Sequence, residues 1–444
     1  MPDLPDLCMA AVDVAEGDEQ VEAFAEERST TSVEAHRGEV EGLTFAESRG
    51  VGVRLISDGR LGFAHAADPS VDEVRAAVAR ARENAAVATP DPFNALPAAE
   101  PIEPLDGLFS QELAAMTTDE KVPIALGMER AATTTDARVR KTEAVRYGDA
   151  VGAAAIASTE GVRAEYRGTG CWVVVVTLAE QEGDTQTGFS YRIARRVEDL
   201  DHDGVVSEAV ERAARMLGAT KPATARVPVL LDPVAASSFL GVLSDGLSAE
   251  AVQKQRSLFG PLVGEQVASD VLTVVDDGRL LDGPGAAPFD GEGVPTGRTE
   301  LLSSGVLKGF LHNTYTARRG DTRSTGNAVR GYRSSPGVGT TNLFVQPGDR
   351  SFEQLLREAE GGVLVQDVTG VHSGANPISG EFSVGATGLR ISGGAVGEPV
   401  REMTIASTIP EMLQSVAALG SELRWFSAVG VPSILLGEMT LAGV

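Results

Sequence analysis

Histidine and cysteine are scarce in this sequence, with five His and two Cys in 444 residues. The His are His36, His65, His202, His312 and His372, and the nearest two stand 29 positions apart. A hydrolytic zinc helix needs two imidazoles on one face at adjacent turns, so no H-E-x-x-H pattern can be assembled from them. Cys8 and Cys171 are too few and too distant for a disulfide framework or a cysteine-rich zinc site, which suits a reducing compartment. Cations are short as well: 38 Lys+Arg against 63 Asp+Glu leave a formal charge of −25. Phosphate-driven nucleic-acid binding needs clustered cations, and so does adhesion to an anionic membrane, so both are disfavoured. No apolar run reaches the roughly 18 residues of a membrane span. The opening MPDLPDLCMAAVDVAEGDEQ carries Asp3 and Asp6 where a secretory signal would be basic, so a soluble cytoplasmic chain is expected. There is no G-x-S-x-G elbow, and neither Gly283-Pro284-Gly285 nor the acid-flanked Gly291-Glu292-Gly293 is a phosphate loop.

What is present is glycine, 50 residues, and enough apolar sequence, 42%, for a normal core. Three segments are expected. Residues 1–95 read as an α/β unit with a hairpin around Ser57-Asp58-Gly59 and a helix opened by the Ser70/Glu73 capping box. Residues 89–104 hold five prolines and read as a linker. Residues 105–222 form a central α+β segment: a helix after Thr117-Thr118, strands at 139–147, 151–158, 162–167 and 171–178, and a helix over 199–217. The β-branched run at 171–178 predicts a strand buried on both faces, holding Cys171 as a small hydrophobe, while Cys8 falls in a mobile terminus. Residues 225–444 form a β-rich domain: a strand from Val227, a helix over 233–255, then strands interrupted by helices at 351–359 and 410–420. No repeat of fixed period is visible. The fold class is α+β, an N-terminal α/β region followed by a largely antiparallel β domain with interspersed helices.

Two stretches carry polar signals. The first runs from Tyr315 to Ser335 and places Arg318, Arg319, Arg323, Arg330 and Arg333 within 16 residues of an acidic chain, beside Asn327. Guanidinium forks on such a loop suit a carboxylate or a peptide backbone, and a solvated loop with local salt bridges is the equal alternative. The second runs from Val371 to Gly388, where His372, Asn376 and Glu381 stand among small residues able to line a cleft. From the residues alone, a tight β-corner whose polar side chains cap their own turns is favoured there.

In order and spacing, these stretches resemble the TldD/PmbA family in its PmbA (TldE) branch. The same holds for Gly38–Gly42, Arg49–Val53, Ser158–Gly161 with Tyr166-Arg167, Asn313–Arg318, Ser324–Ala328, Arg401–Ala406 and Gly437–Met439. The resemblance implies a two-subunit cytosolic zinc protease in which a TldD-type partner holds the metal on a His-Glu-x-x-x-His helix plus a later Cys. The matching helix here, about 240–250, reads LGVLSDGLSAE, and no Cys follows Cys171. The implied protein is therefore a zinc-less subunit with no catalytic residues or metal of its own. It would be paired in a heterodimer with a zinc-bearing homologue and would shape a channel for unfolded or leader peptides. Arg318, Arg319, Asn327, His372, Asn376 and Glu381 are the candidate channel residues. Two other readings remain: a non-enzymatic regulator of the gyrase-modulator type, and a subunit of a specialised hydrolase in peptide natural-product biosynthesis.

Overall fold

The computed structural model describes residues 2–443. Its first half is built on one antiparallel sheet of six strands: β1 (Gln20–His36), β2 (Glu39–Ser57), β3 (Arg60–Ala67), β4 (Val139–Ser158), β5 (Arg163–Gln181) and β6 (Asp184–Ala194). The spatial order is β3-β2-β1-β4-β5-β6, so the segments before and after the proline-rich stretch contribute three strands each and meet at the β1–β4 pair. Each half also carries a helix before its strands and one after. Helix α1 (Leu4–Val12) and α2 (Val71–Val87) flank the first triplet. A short α3 (Gln111–Ala115), α4 (Thr118–Thr135) and α5 (His202–Ala214) accompany the second. Helices α1 and α2 pack beneath the first triplet and α4 and α5 beneath the second, all on one face of the sheet, burying Val21, Val53, Val145, Val173 and their neighbours. An architectural repeat is therefore present although no sequence period announces it. Its halves share a device: Gly62 on β3 and Gly188 on β6 let a helix approach so closely that a Cβ would lie 1.9 Å from the Ala81 carbonyl oxygen and 2.1 Å from that of Ala209.

Several local expectations change. The hairpin turn at Asp58-Gly59 and the Ser70/Glu73 capping box are as read, but the four strands expected between 139 and 178 are two long ones, β4 and β5. The run 171–178 alternates between buried and half-buried residues rather than being buried on both faces, because helices cover only one side of the sheet. Cys8 lies in α1, fully buried beneath the sheet, not in a mobile end. Cys8 and Cys171 both titrate near 12, pushed up by burial.

The second half, from Ala225, packs two further six-stranded sheets around a helix, α6 (Pro233–Gly246). In one sheet, strand Ala395–Thr408 pairs with Glu381–Ser392 and also with Ile434–Ala442, so its strands close on themselves. The core between the sheets is aliphatic, with Phe239 and Phe382 meeting edge to face. The helix expected over 233–255 is broken. Helix α6 ends at Gly246, whose Cα faces the Phe259 ring with no room to spare, and a separate turn, Ala249–Gln253, starts after Ser248. The Leu311 backbone holds the break by donating to the Leu247 carbonyl and accepting from the Ala249 N–H. Likewise the helix expected over 410–420 stops at Gln414, and Val416–Leu419 is a strand paired with Ile434–Leu436.

Candidate functional site

The sheet's second face has no helices. Strand alternation and register put Glu22, Phe24, Glu26 and Arg28 of β1 on that face. Beside them stand Gly50, Gly52 and Arg54 of β2, Ala150, Gly152 and Ala154 of β4, and Tyr166, Gly168, Gly170 and Trp172 of β5. This glycine- and alanine-rich floor meets the C-terminal domain at one end. There Phe24, Ile156, Val162 and Phe289 form a small core, and Tyr166 packs against the edge of Phe289 at 5.1 Å. Beside that contact the two halves enclose an open cavity of about 510 Å³, floored by the sheet and walled by residues 284–287, Arg330 and Ser427.

A buried ion network fixes the two walls. Glu22 accepts from Arg54 Nη2 at 2.8 Å and from Arg330 Nη1 at 2.6 Å. Arg54 Nη1 donates to Glu292 at 2.7 Å, and the other oxygen of Glu292 accepts the Thr314 N–H at 2.7 Å. The side chains of Glu22, Glu292 and Arg330 are fully buried. Two glutamates and two arginines cancel, which is what allows four charges to leave water together. Among the described residues Arg330 Nε and Nη2 have no hydrogen-bond acceptor, and the guanidinium instead lies 5.2 Å from the Phe24 ring. Asp290 sits behind Glu292 and accepts three backbone N–H groups, from Glu292, Val294 and Ala328, yet burial and the Glu292 charge push it up to about 7. None of Glu22, Arg54 and Glu292 was singled out from sequence. The available signal was an Arg inside the apolar run Gly50–Ile56 and a Glu inside Val21–Ala25.

The six candidate channel residues are distributed differently. Arg318 and Arg319 end the helical turn Thr314–Arg319 at the surface, Arg318 donating to the Pro92 carbonyl at 3.4 Å. Asn327 is buried, donating to Asp276 at 2.7 Å and to the Gly339 carbonyl at 3.0 Å, so it fastens the strand pair Ala328–Val329 and Gly337–Val338. His372, Asn376 and Glu381 lie on or beside the turn Val371–Gly374, where Asn376 accepts the N–H groups of Ile378 and Ser379. Their hydrogen bonds are local, and none reaches the 313–333 stretch. The five-Arg run is split too, with Arg330 buried in the network and Arg323 exposed.

The break between α6 and Ala249–Gln253 faces a second cavity of about 390 Å³, lined by Ser244, Asp245, Ser248, Glu250, Lys254, Arg256 and residues 338–340. This is the segment that the resemblance sets against the zinc helix. It offers two hydroxyls and two carboxylates. Burial raises Asp245 above the ordinary carboxylate range, and Glu250 is paired with Lys254. No imidazole or thiolate lies among the residues lining it, and among the described residues no cluster of three or more His, Cys, Asp or Glu is arranged to hold a metal ion. This donor set does not fit a hydrolytic zinc. Among the described residues, no helix is long and apolar enough to cross a membrane.

Against known proteins, three family models match in succession. They are the PmbA/TldA metallopeptidase domain 1 over residues 21–85, the central domain over 111–217 and the C-terminal domain over 224–443. The chain is 28% identical to the Escherichia coli O157:H7 metalloprotease PmbA, over 99% of this chain and 96% of that protein. A Thermotoga maritima crystal structure described as a candidate modulator of a DNA gyrase superposes with a TM-score of 0.89 at 28% identity, covering 96% of each chain. The fold is also that of TldE from Thermococcus kodakarensis, with a TM-score of 0.89 at 23% identity over 99% of each chain.

Proposed function

The chain belongs to the PmbA/TldD metallopeptidase family, and from that premise we propose that it is the zinc-less subunit of a cytoplasmic two-chain protease. The observation that carries this reading is the 244–250 junction. The family's models match along the chain, while the segment that the resemblance sets against the zinc helix is broken after Gly246 and offers hydroxyls and carboxylates but no imidazole or thiolate. Peptide-bond hydrolysis then belongs to a zinc-bearing TldD-type homologue bound as a heterodimer. This chain supplies walls. An open sheet face floored by glycine and alanine lets an extended backbone approach, and a folded domain is too thick for a cavity of about 510 Å³. Unfolded peptides and leader segments are the substrates that such walls select. In this reading Arg318, Arg319, His372, Asn376 and Glu381 contact the peptide outside the cavity of about 510 Å³, and Asn327 holds the strand pair Ala328–Val329 and Gly337–Val338.

The test is reconstitution. The purified chain, its zinc-bearing homologue and their mixture are each given an unfolded peptide. Cleavage by the mixture that exceeds that of the homologue alone, with none by this chain alone, supports the reading; cleavage by this chain alone sinks it. A second reading, a regulator that binds another protein, draws on the description of the Thermotoga relative. It predicts no gain of cleavage in the mixture, and with a charge of −25 any such contact would be made to protein rather than to DNA.

A further inference from the structure

Strand β3 pairs with β2 only from Gly50 to Ser57, whereas β1 pairs with β2 from Glu39 to Ile56. Among the described residues no strand therefore covers the outer edge of β2 before Gly50, and every residue from Leu43 to Ser48 is exposed. The direction of the free groups follows from the register. The Arg49 carbonyl points outward, since it accepts the Asp68 N–H at 3.0 Å. Strand alternation then sends the N–H and C=O of Glu47, Phe45 and Leu43 outward as well. Glu41 is the extra residue of a bulge, opposite the Glu34–Ala35 step, and it ends this ladder. The result is an open rail about 23 Å long over seven residues. It carries two large apolar side chains in the open, Leu43 at 53% and Phe45 at 64% exposure, with Val40 at 37% beyond the bulge. An exposed edge of this kind is a ready template for pairing with another chain.

We propose that this edge of β2 is the docking rail for a strand of the zinc-bearing partner subunit, an inference that rests on the two-chain reading above. The partner strand presents apolar side chains opposite Leu43 and Phe45 and a Lys or Arg opposite Glu47. Charge argues for that chemistry. The exposed acids on and beside the rail, Glu27, Glu39, Glu41 and Glu47, outnumber the exposed cations Arg28 and Arg37, and the cation on the rail, Arg49, is already 3.3 Å from Glu27. A second copy of this chain is a poor occupant. The antiparallel register that sets Leu43 against Phe45 also brings Glu47 of each copy against the Glu39–Glu41 segment of the other, between molecules that each carry −25.

The experiment is calorimetric titration of the full-length chain with its zinc-bearing homologue. Phe45→Pro deletes an outward N–H without touching the β1 pairing, and the double variant Leu43→Lys, Phe45→Lys reverses the side-chain chemistry. All these positions are exposed, and an unchanged Tm checks the fold. Both variants should weaken Kd by at least about tenfold, while Thr44→Ala, whose backbone faces β1, should not. Wild-type affinity in both variants overturns the rail and leaves the two-chain reading standing. Failure of the wild-type chain to bind the homologue overturns both. Unchanged Kd with lost peptide cleavage assigns the edge to substrate and overturns its assignment to the partner.

Discussion

At the scale of single residues, the firmest feature is the alternation Arg330–Glu22–Arg54–Glu292, which ties the sheet to the C-terminal domain through side chains that water does not reach. Arg54→Met leaves Glu22 with one partner and Glu292 with only a backbone N–H, and is expected to cost about 3–5 kcal/mol in chemical denaturation. Arg323→Ala, at an exposed position of the same Arg-rich stretch, should stay within about 0.5 kcal/mol. The sequence could show that Glu22 and Arg54 sit on the non-helical face of their strands. It could not show that a distant domain, rather than water, covers that face, because both surroundings are written in the same polar alternation. Glu208 gives a pH-dependent counterpart. Burial alone would raise it, but the guanidiniums of Arg424, at 2.6 Å, and Arg192, at 2.9 Å, hold it at about 2. A carboxylate lowered in the folded state stabilises fully above its unfolded value of about 4.5 and loses that contribution as pH falls toward 2. Unfolding free energies measured from pH 7 to pH 2 should therefore fall by on the order of 3 kcal/mol more in the wild-type chain than in Glu208→Gln. The Gln variant should already be the less stable at pH 7.

At the scale of elements, what was legible followed from local rules. The Ser70/Glu73 capping box is formed as written, because a cap depends only on residues within one turn. What was missed depends on partners far along the chain. Gly148 reads as a strand break, yet it stays inside β4 because the Trp172 ring of β5 lies over it. The α6 helix reads through to 255, yet it breaks at 247 because Leu311 supplies competing backbone hydrogen bonds. The repeat of helix–three strands–helix escaped notice because it is conserved in packing, not in spacing. Its two matched glycines give a direct check. Gly62→Ala would drive a methyl into the Ala81 carbonyl, and Gly188→Ala into that of Ala209. Each is expected to destabilise by about 1–3 kcal/mol through helix displacement, read from chemical denaturation. Gly183→Ala, where nothing lies within 4 Å but φ is +85°, separates steric crowding from backbone strain.

At the scale of the whole molecule, the scarcity of His and Cys proves more telling than the net charge. The five His are dispersed over both halves, His36 at the β1 end and His372 on the turn before Glu381, and both Cys are sealed beneath the first sheet. The family was legible in short motifs, several of which the fold explains. Arg49–Val53 is the stretch where β3 begins to pair and where Tyr332 lies against Gly50 and Gly52. Asn313 caps its helical turn and Asn327 fastens the neighbouring strands. The cavity between the sheet and the C-terminal domain was not legible, since it is made by a bare sheet face and a second domain that no local pattern connects. The central claim is that the chain keeps a metallopeptidase fold without a metal site. It is tested most directly by native mass spectrometry with metal analysis of the purified chain, of its zinc-bearing homologue and of their complex. The account predicts no stoichiometric zinc on this chain alone and one zinc per complex, carried by the homologue. One tightly held zinc on the isolated chain would contradict it.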